Sequence, residues 1–284
     1  PYPVPALNAM APEWAPELAP APTAALDLLL CGISGKVATA STFMSHKTMT
    51  IHTNALGQPV GAPMPDWTPA SPPPRQPIEG HWCRLEPLNA DLHAQDLFDA
   101  FAADETGQGW TYLSYEPFTD FAPFRDWCAR SAVSDERLYH TIIDRATGKA
   151  LGVASYMRID LAAGSIEVGD IHYGPALQRT PMATEAMYLL MRRAFEELGY
   201  RRYEWKCDSC NEPSRNAAKR LGFTYEGQFR QATTYKGRNR DTDWFSILDT
   251  EWPALKDAFE TWLDPANFND DGQQRRSLNI KGRA

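Results

Sequence analysis

The chain has few cysteines, five in all, at Cys31, Cys83, Cys128, Cys207 and Cys210. An odd number of widely scattered thiols does not make a disulfide framework, so a reducing, cytoplasmic compartment is the expectation. Long apolar runs are also missing: the stretch around Leu28-Leu29-Leu30-Cys31 falls far short of the roughly 18 residues a spanning helix needs. Glu13, Glu17 and Asp27 precede the first basic residue, Lys36, which is the reverse of a leader's charge pattern. Positive charge is in the minority, with 28 Lys and Arg against 36 Asp and Glu and a net charge of −8. That balance argues against nonspecific binding to nucleic acid or to an anionic membrane. There is no second Cys pair or spaced His pair to complete a zinc site with Cys207-Asp208-Ser209-Cys210, so ordinary thiols and no metal are expected. Internal repeats are lacking as well.

What is abundant is proline, and it is unevenly spread. Fifteen of the 23 prolines precede residue 78, including Pro72-Pro73-Pro74. Such a segment favours extended, solvated backbone, so residues 1–77 read as a proline-rich disordered tail or linker. From Ile78 the pattern becomes periodic. A strand is predicted over Trp82 to Leu88, followed by a helix capped by Asn89 with Leu92, Leu97, Phe98 and Phe101 at helical spacing. A second helix follows Asp120. Leu138 to Ile143, Ala150 to Ile159 and Ser165 to Tyr173 read as three consecutive strands joined by short turns. Thr184 to Leu198 is the longest amphipathic helix, stopped by Gly199. A strand (Tyr203 to Cys207), a helix (Ser214 to Leu221) and two strands (Phe223 to Tyr235, Thr242 to Leu248) complete the order, the last two joined by the turn Lys236 to Arg240. The expected class is α/β with a mixed central sheet flanked by helices. Its domain spans residues 78–264, and a polar C-terminal tail covers 265–284.

The informative junction is Glu167-Val168-Gly169-Asp170-Ile171-His172-Tyr173, a strand, running through a short polar turn into a long helix. A helix start with free backbone N–H groups is an anion site, with Thr180 suited to N-cap and Pro181 to the first helical position. Residues 178–240 hold 13 Lys and Arg against 7 Asp and Glu, modest support for a phosphate-rich ligand near this helix.

These segments resemble the GNAT acetyltransferase family, in the branch of the RimJ/RimL-type N-terminal acetyltransferases of ribosomal proteins. The family's Gln/Arg-x-x-Gly-x-Gly/Ala signature maps onto Gln178-Arg179-Thr180-Pro181-Met182-Ala183, followed by Ala183-Thr184-Glu185-Ala186. Pro181 stands where the middle glycine is usual, which removes one backbone donor. Asn211-Glu212-Pro213-Ser214 and Leu221-Gly222-Phe223, leading to Glu226-Gly227, match two further pieces in order. The resemblance implies acetyl-CoA as co-substrate and an amine acceptor, either a small molecule or a peptide N-terminus, with no metal. It implies cofactor contacts at Gln178, Arg179, Thr180, Met182, Ala183, Thr184, Asn211 and Ser214.

The same resemblance sets backbone near Val168 to Ile171 beside the acetyl carbonyl and Ser214 beside the departing sulfur. Glu167 and Asp170 are the base candidates. Strict alternation puts them on opposite faces, so only one would face the cleft unless a bulge intervenes. Each has a duller reading: Ser214 as a helix cap, Glu167 in a structural ion pair, His172 as a packed strand residue. Tyr225 and Tyr235 are alternative proton donors. The reading from another class is a non-catalytic acyl-CoA-binding module whose proline-rich tail recruits partners. The oligomeric state is left open.

Overall fold

The computed structural model describes residues 52–269 and 272–280. The chain divides into two units, Pro1–Pro63 and Met64–Ala284. In the first, β1 (His52–Thr53) and β2 (Pro59–Val60) form a small antiparallel hairpin, with Asn54 Oδ1 accepting the Leu56 and Gln58 amides. Residues 1–51 of the expected N-terminal extension lie outside the described residues.

The second unit is built on an eight-stranded sheet in the order β3-β4-β5-β6-β7-β8-β10-β9. Its strands are β3 (Ile78–Glu79), β4 (Cys83–Pro87), β5 (Arg137–Asp144), β6 (Ala150–Asp160), β7 (Ser165–Tyr173), β8 (Arg202–Asp208), β9 (Thr224–Tyr235) and β10 (Arg238–Leu248). All pairs are antiparallel except β7 with β8. That parallel pair is where a crossover helix is obligatory. The crossover is α3 (Pro181–Arg192), which runs on through a π-helical turn, Arg193–Glu197.

Two hydrophobic clusters cover the two sheet faces. On one face α1 (Ala90–Ala102) and α2 (Phe121–Ala132) bury Leu97, Phe101, Phe124 and Cys128 against Tyr139, Ile143 and Val153. On the other, α3, α4 (Glu212–Arg220) and α5 (Trp252–Leu263) pack Met187, Leu190, Ala218 and Phe259 against Ile142, Tyr156, Val168, Tyr203 and Phe245. Asn89 caps α1 as expected, its Oδ1 accepting the Asp91 and Leu92 amides.

Both expected domain boundaries move outward. Residues 64–77, read as tail, are packed: Ala70 and Pro73 are buried, the Ala70 amide donates to Leu161 O, and the Trp67 indole donates to Ala162 O. Proline removes donors but keeps carbonyls, and the buried Arg193 guanidinium donates to Gln76 O and Pro77 O. At the other end, Phe268 packs edge-on against Trp82 and Trp262, and Leu278 and Ile280 join the α3 cluster, so residues 265–280 are not simply a polar tail. The last hairpin is also tighter than expected. Lys236 and Gly237 alone make the turn, both at positive φ (48° and 69°), and β10 starts at Arg238.

Candidate active site

The turn from β7 into α3 carries the expected Thr180 cap and Pro181 at the first helical position. Gly174 lies so close to α1 that a Cβ would sit 2.7 Å from Ala100 O, which requires glycine there. Arg179 follows in the left-handed region (φ 61°), and Thr180 caps α3 by donating to Leu177 O at 2.7 Å and accepting from the Ala183 amide at 3.2 Å. Pro181 sits at the first helical position, where no donor is lost to the helix. The amides of Arg179, Thr180 and Met182 donate to no acceptor among the described residues, and they converge on the helix start. Two expected contacts are used otherwise. Gln178 turns its amide back to Tyr173 O, and Thr184 is buried with its hydroxyl accepting from Arg220, so the Thr184 side chain is a packing group and not a cradle contact.

Beside the cradle the sheet opens. β7 and β8 pair only from Ser165 with Arg202 to Val168 with Trp205; beyond that point Gly169–Tyr173 and Lys206–Asp208 diverge. A bulge falls at the same place. Gly169 faces Ser155 and His172 faces Val153, so Asp170 and Ile171 together oppose one residue, and Asp170 takes φ 45°.

This bulge overturns the alternation. Ile166 and Val168 point into the α3 cluster, leaving Glu167 on the α1/α2 face. Asp170 points to that face too, its Oδ2 accepting from Tyr139 Oη and forming an ion pair with Arg137 Nε, each at 2.8 Å. Glu167 is buried between Arg158 Nη1 (2.6 Å) and Lys206 Nζ (2.8 Å); burial pushes its carboxyl pKa up while both cations pull it down. Lys206 Nζ also meets Glu204 Oε2 at 2.8 Å and lies 3.7 Å above the Trp244 ring. The ion-pair reading of Glu167 therefore holds, and its carboxylate is held in place on the reaction face.

At the start of α4 the expected alternatives for Ser214 separate. Asn211 is the cap, its Oδ1 accepting the Ser214 amide at 3.1 Å. The Ser214 hydroxyl caps nothing; it accepts from the Trp205 indole at 3.0 Å and lies in hydrogen-bonding contact with the Cys207 thiol. Trp205 is the last β8 residue paired with β7, so Ser214 is anchored at the apex of the opening. Cys207 is buried beside it with its thiol pushed up to about 11, chiefly by burial.

His172 is a packed residue, as the duller reading had it. It stacks on Phe101 at 3.9 Å, meets Trp110 edge-on, and burial lowers its pKa to about 4. Tyr225 is exposed and packs on Phe245. Tyr235 donates to Asp208 Oδ2 at 2.8 Å, and Tyr112 donates to Cys210 O. Lys236 Nζ reaches Trp110 O, so the β9–β10 hairpin tip and the α1–α2 connection meet past the open end of β7 and β8. Among the described residues no cluster suited to a metal occurs.

A parallel strand pair opening beside an amide-lined helix start, with a bulge at its apex and a hydroxyl facing it, defines a coenzyme A-dependent acyltransferase scaffold. The acetyltransferase (GNAT) domain pattern matches residues 83–224, and the chain belongs to that family. Family members use acetyl-CoA, so acetyl transfer from that co-substrate is the class of reaction. A GCN5-related N-acetyltransferase from Brucella melitensis is 49% identical, with a TM-score of 0.74 over 76% of this chain and 97% of its own. "Uncharacterized N-acetyltransferase p20" of Bacillus licheniformis is 29% identical over 57% of this chain and 93% of its own length. "Putative ribosomal N-acetyltransferase YdaF" of Bacillus subtilis is 29% identical over 38% of this chain and 59% of its own, in agreement with the RimJ/RimL-type branch.

Proposed function

We propose that the protein transfers the acetyl group to a primary amine, of a peptide N-terminus or a small molecule, by direct attack of the amine on the thioester. The observation that carries this reading is the apex at Val168 and Trp205, where strand divergence, the Asp170 bulge and the Ser214 hydroxyl coincide. The amides at Arg179, Thr180 and Met182, unpaired among the described residues, fit a pyrophosphate, and Arg179 and Lys219, exposed and without a carboxylate partner among those residues, add positive charge. The Asn211 Nδ2 amide is left over from capping and suits the same ligand.

In the step itself the new C–N bond forms as the C–S bond breaks. The amine's proton passes to a carboxylate on the α1/α2 face, Asp170 or Glu167, and the Ser214 hydroxyl donates to the sulfur. Backbone near the bulge is the oxyanion donor in this scheme. The buried, unbridged thiols Cys83, Cys128 and Cys207 keep the cytoplasmic location as part of the proposal.

The test is an acetyl-transfer screen with mass detection across free amines and N-terminal peptides. N-acetylated product from at least one acceptor, with stoichiometric free coenzyme A, is the expected result. Tight acetyl-CoA binding with no product over the whole panel refutes catalysis.

A further inference from the structure

Beside Glu167 and Asp170 the α1/α2 face carries a groove of about 410 Å³ lined by Asp135, Glu136, Arg137, Met157, Arg158 and Ile159. Its floor reaches the reaction centre: Met157 lies against Gly169, where any Cβ would collide with the Met157 sulfur. Its two guanidiniums are aimed by the same interactions that hold the base candidates. Arg137 uses Nε on Asp170, and Arg158 uses Nη1 on Glu167. The other terminal nitrogens of both donate to no acceptor among the described residues, and the side chains are 39% and 56% exposed.

Arg158 is held in this pose at a cost. It sits at φ 47° in a register shift of β6 between Met157 and Asp160, a conformation unfavourable for any side chain but glycine. Strain at a non-glycine residue that points a charged fork toward a groove is an observation that favours a role for the fork itself.

We infer that this groove selects an acceptor amine that carries a carboxylate a few bonds away, whether a free amino acid or a peptide with an acidic residue at its N-terminus. The inference rests on the amine-acetylation reading above. A guanidinium with spare donors binds a carboxylate by charge-assisted hydrogen bonds. The amine of the same molecule is then drawn toward Glu167 and Asp170 behind them. Asp135 and Glu136 in the lining are exposed to water, Asp135 beside Arg75, so the two guanidiniums are the groove's charges nearest the base candidates. A neutral amine would leave their spare donors unused, and a ligand bearing both charges meets them and the base candidates together.

Matched pairs test this on the full chain with acetyl-CoA: an amino acid against its carboxamide, and a peptide beginning with Asp or Glu against one beginning with Asn or Gln. The carboxylate member should be favoured in kcat/KM by about tenfold or more, mostly through KM, as one charge-assisted hydrogen bond would give. In Arg137→Met and in Arg158→Met that preference should collapse as a ratio, whatever turnover both members of a pair lose because the same guanidiniums hold Asp170 and Glu167. Should Arg158→Met fail to fold, Arg137→Met alone carries the comparison. Equal use of both members by the wild type, or a preference that survives both substitutions, overturns the inference while leaving acetyl transfer intact. If no amine is acetylated, amine transfer fails instead, and calorimetric binding of each pair in the presence of coenzyme A decides the groove. Absence of a carboxylate preference there overturns it.

Discussion

Removing the carboxylate of Glu185 should damage the protein more than removing any single group of the reaction centre. Glu185 stands in the first turns of α3 and is buried, yet it contacts no cation. Its Oε1 accepts the His81 amide and its Oε2 accepts both the Trp82 and Cys83 amides, all at 2.7 Å. The turn is shaped around it: a Cβ on Gly80 would lie 2.6 Å from Glu185 Oε2 and 2.7 Å from Cys83 O. The side chain therefore pins the helix that bears the cradle to the β3–β4 turn.

The magnitude follows from the donors left behind. Hydrogen bonds to a charged group are worth about 1.5–3 kcal/mol each. His81 is exposed and water can replace the acceptor there, so two donors count in Glu185→Ala, a loss of roughly 3–6 kcal/mol. Against a typical total of about 5–15 kcal/mol, that removes a large share of the stability. Glu185→Gln keeps an oxygen for Trp82 and Cys83 but sets an amide donor against the His81 N–H, for roughly 1–3 kcal/mol. Urea unfolding followed by far-UV circular dichroism measures both. An alanine variant within about 1 kcal/mol of wild type, or a glutamine variant worse than alanine, would refute the argument.

Ser214→Ala should reduce the chemical rate moderately with acetyl-CoA affinity near wild type, and a stability loss of about 1–3 kcal/mol from the acceptor the buried Trp205 indole loses, since Asn211 still caps α4; a wild-type pre-steady-state rate ends the proton-donor role. A chain beginning at Ile78 should be several kcal/mol less stable than one beginning at Met64, since the buried Arg193 loses its acceptors at Gln76 and Pro77; equal melting temperatures would return residues 64–77 to the tail. Burial lowers His172 and His140 to about 4, so both stay neutral in the folded state. The unfolded chain takes up their protons first as pH falls below the ordinary value near 6.5, so the stability they contribute is full above that pH and is lost on the way down to about 4. Near pH 5 the loss should be about 2 kcal/mol for each. His172→Phe should flatten stability against pH in that window by one such share, and an unchanged slope would contradict the burial argument.

Much of the fold could be read in advance because its signals are local. The Asn89 cap, the alternation in β5 to β7 and the long apolar stripe of α3 each lie within one element. α5 was equally legible, with Pro253 in its first turn and Trp252, Leu255, Phe259 and Trp262 at helical spacing, but the sequence reading assigned no helix there. The proline-rich segment misled for a physical reason. Its extended backbone is real, yet Trp67, Ala70 and Pro73 bury side chains and its carbonyls serve Arg193. In the site, what could be read was the chain's own motif geometry: Thr180 as cap, Pro181 at the first helical position, and the bulge as the one event that would bring Glu167 and Asp170 together. What could not be read depends on partners far away in sequence. Glu185 reaches back about a hundred residues, and Lys206 is defined by Glu167 and by Trp244 on another strand.

The backbone outliers tie these pieces together. Among the described residues, five non-glycine positions have positive φ: Arg158, Asp170, Arg179, Gln231 and Lys236. Each such residue costs of order 1 kcal/mol, and a glycine would remove the cost, so what the side chain does must offset it. Asp170 is held by Tyr139 and Arg137, Arg158 by Glu167 and Lys236 by Trp110 O, whereas Gln231 bonds only through its backbone amide, to Asp241. Arg179 alone among these has no bonded partner within the described residues, and it is the one at the mouth of the cradle. On the proposed reading, a phosphate at the start of α3 is the anion that would offset this cost.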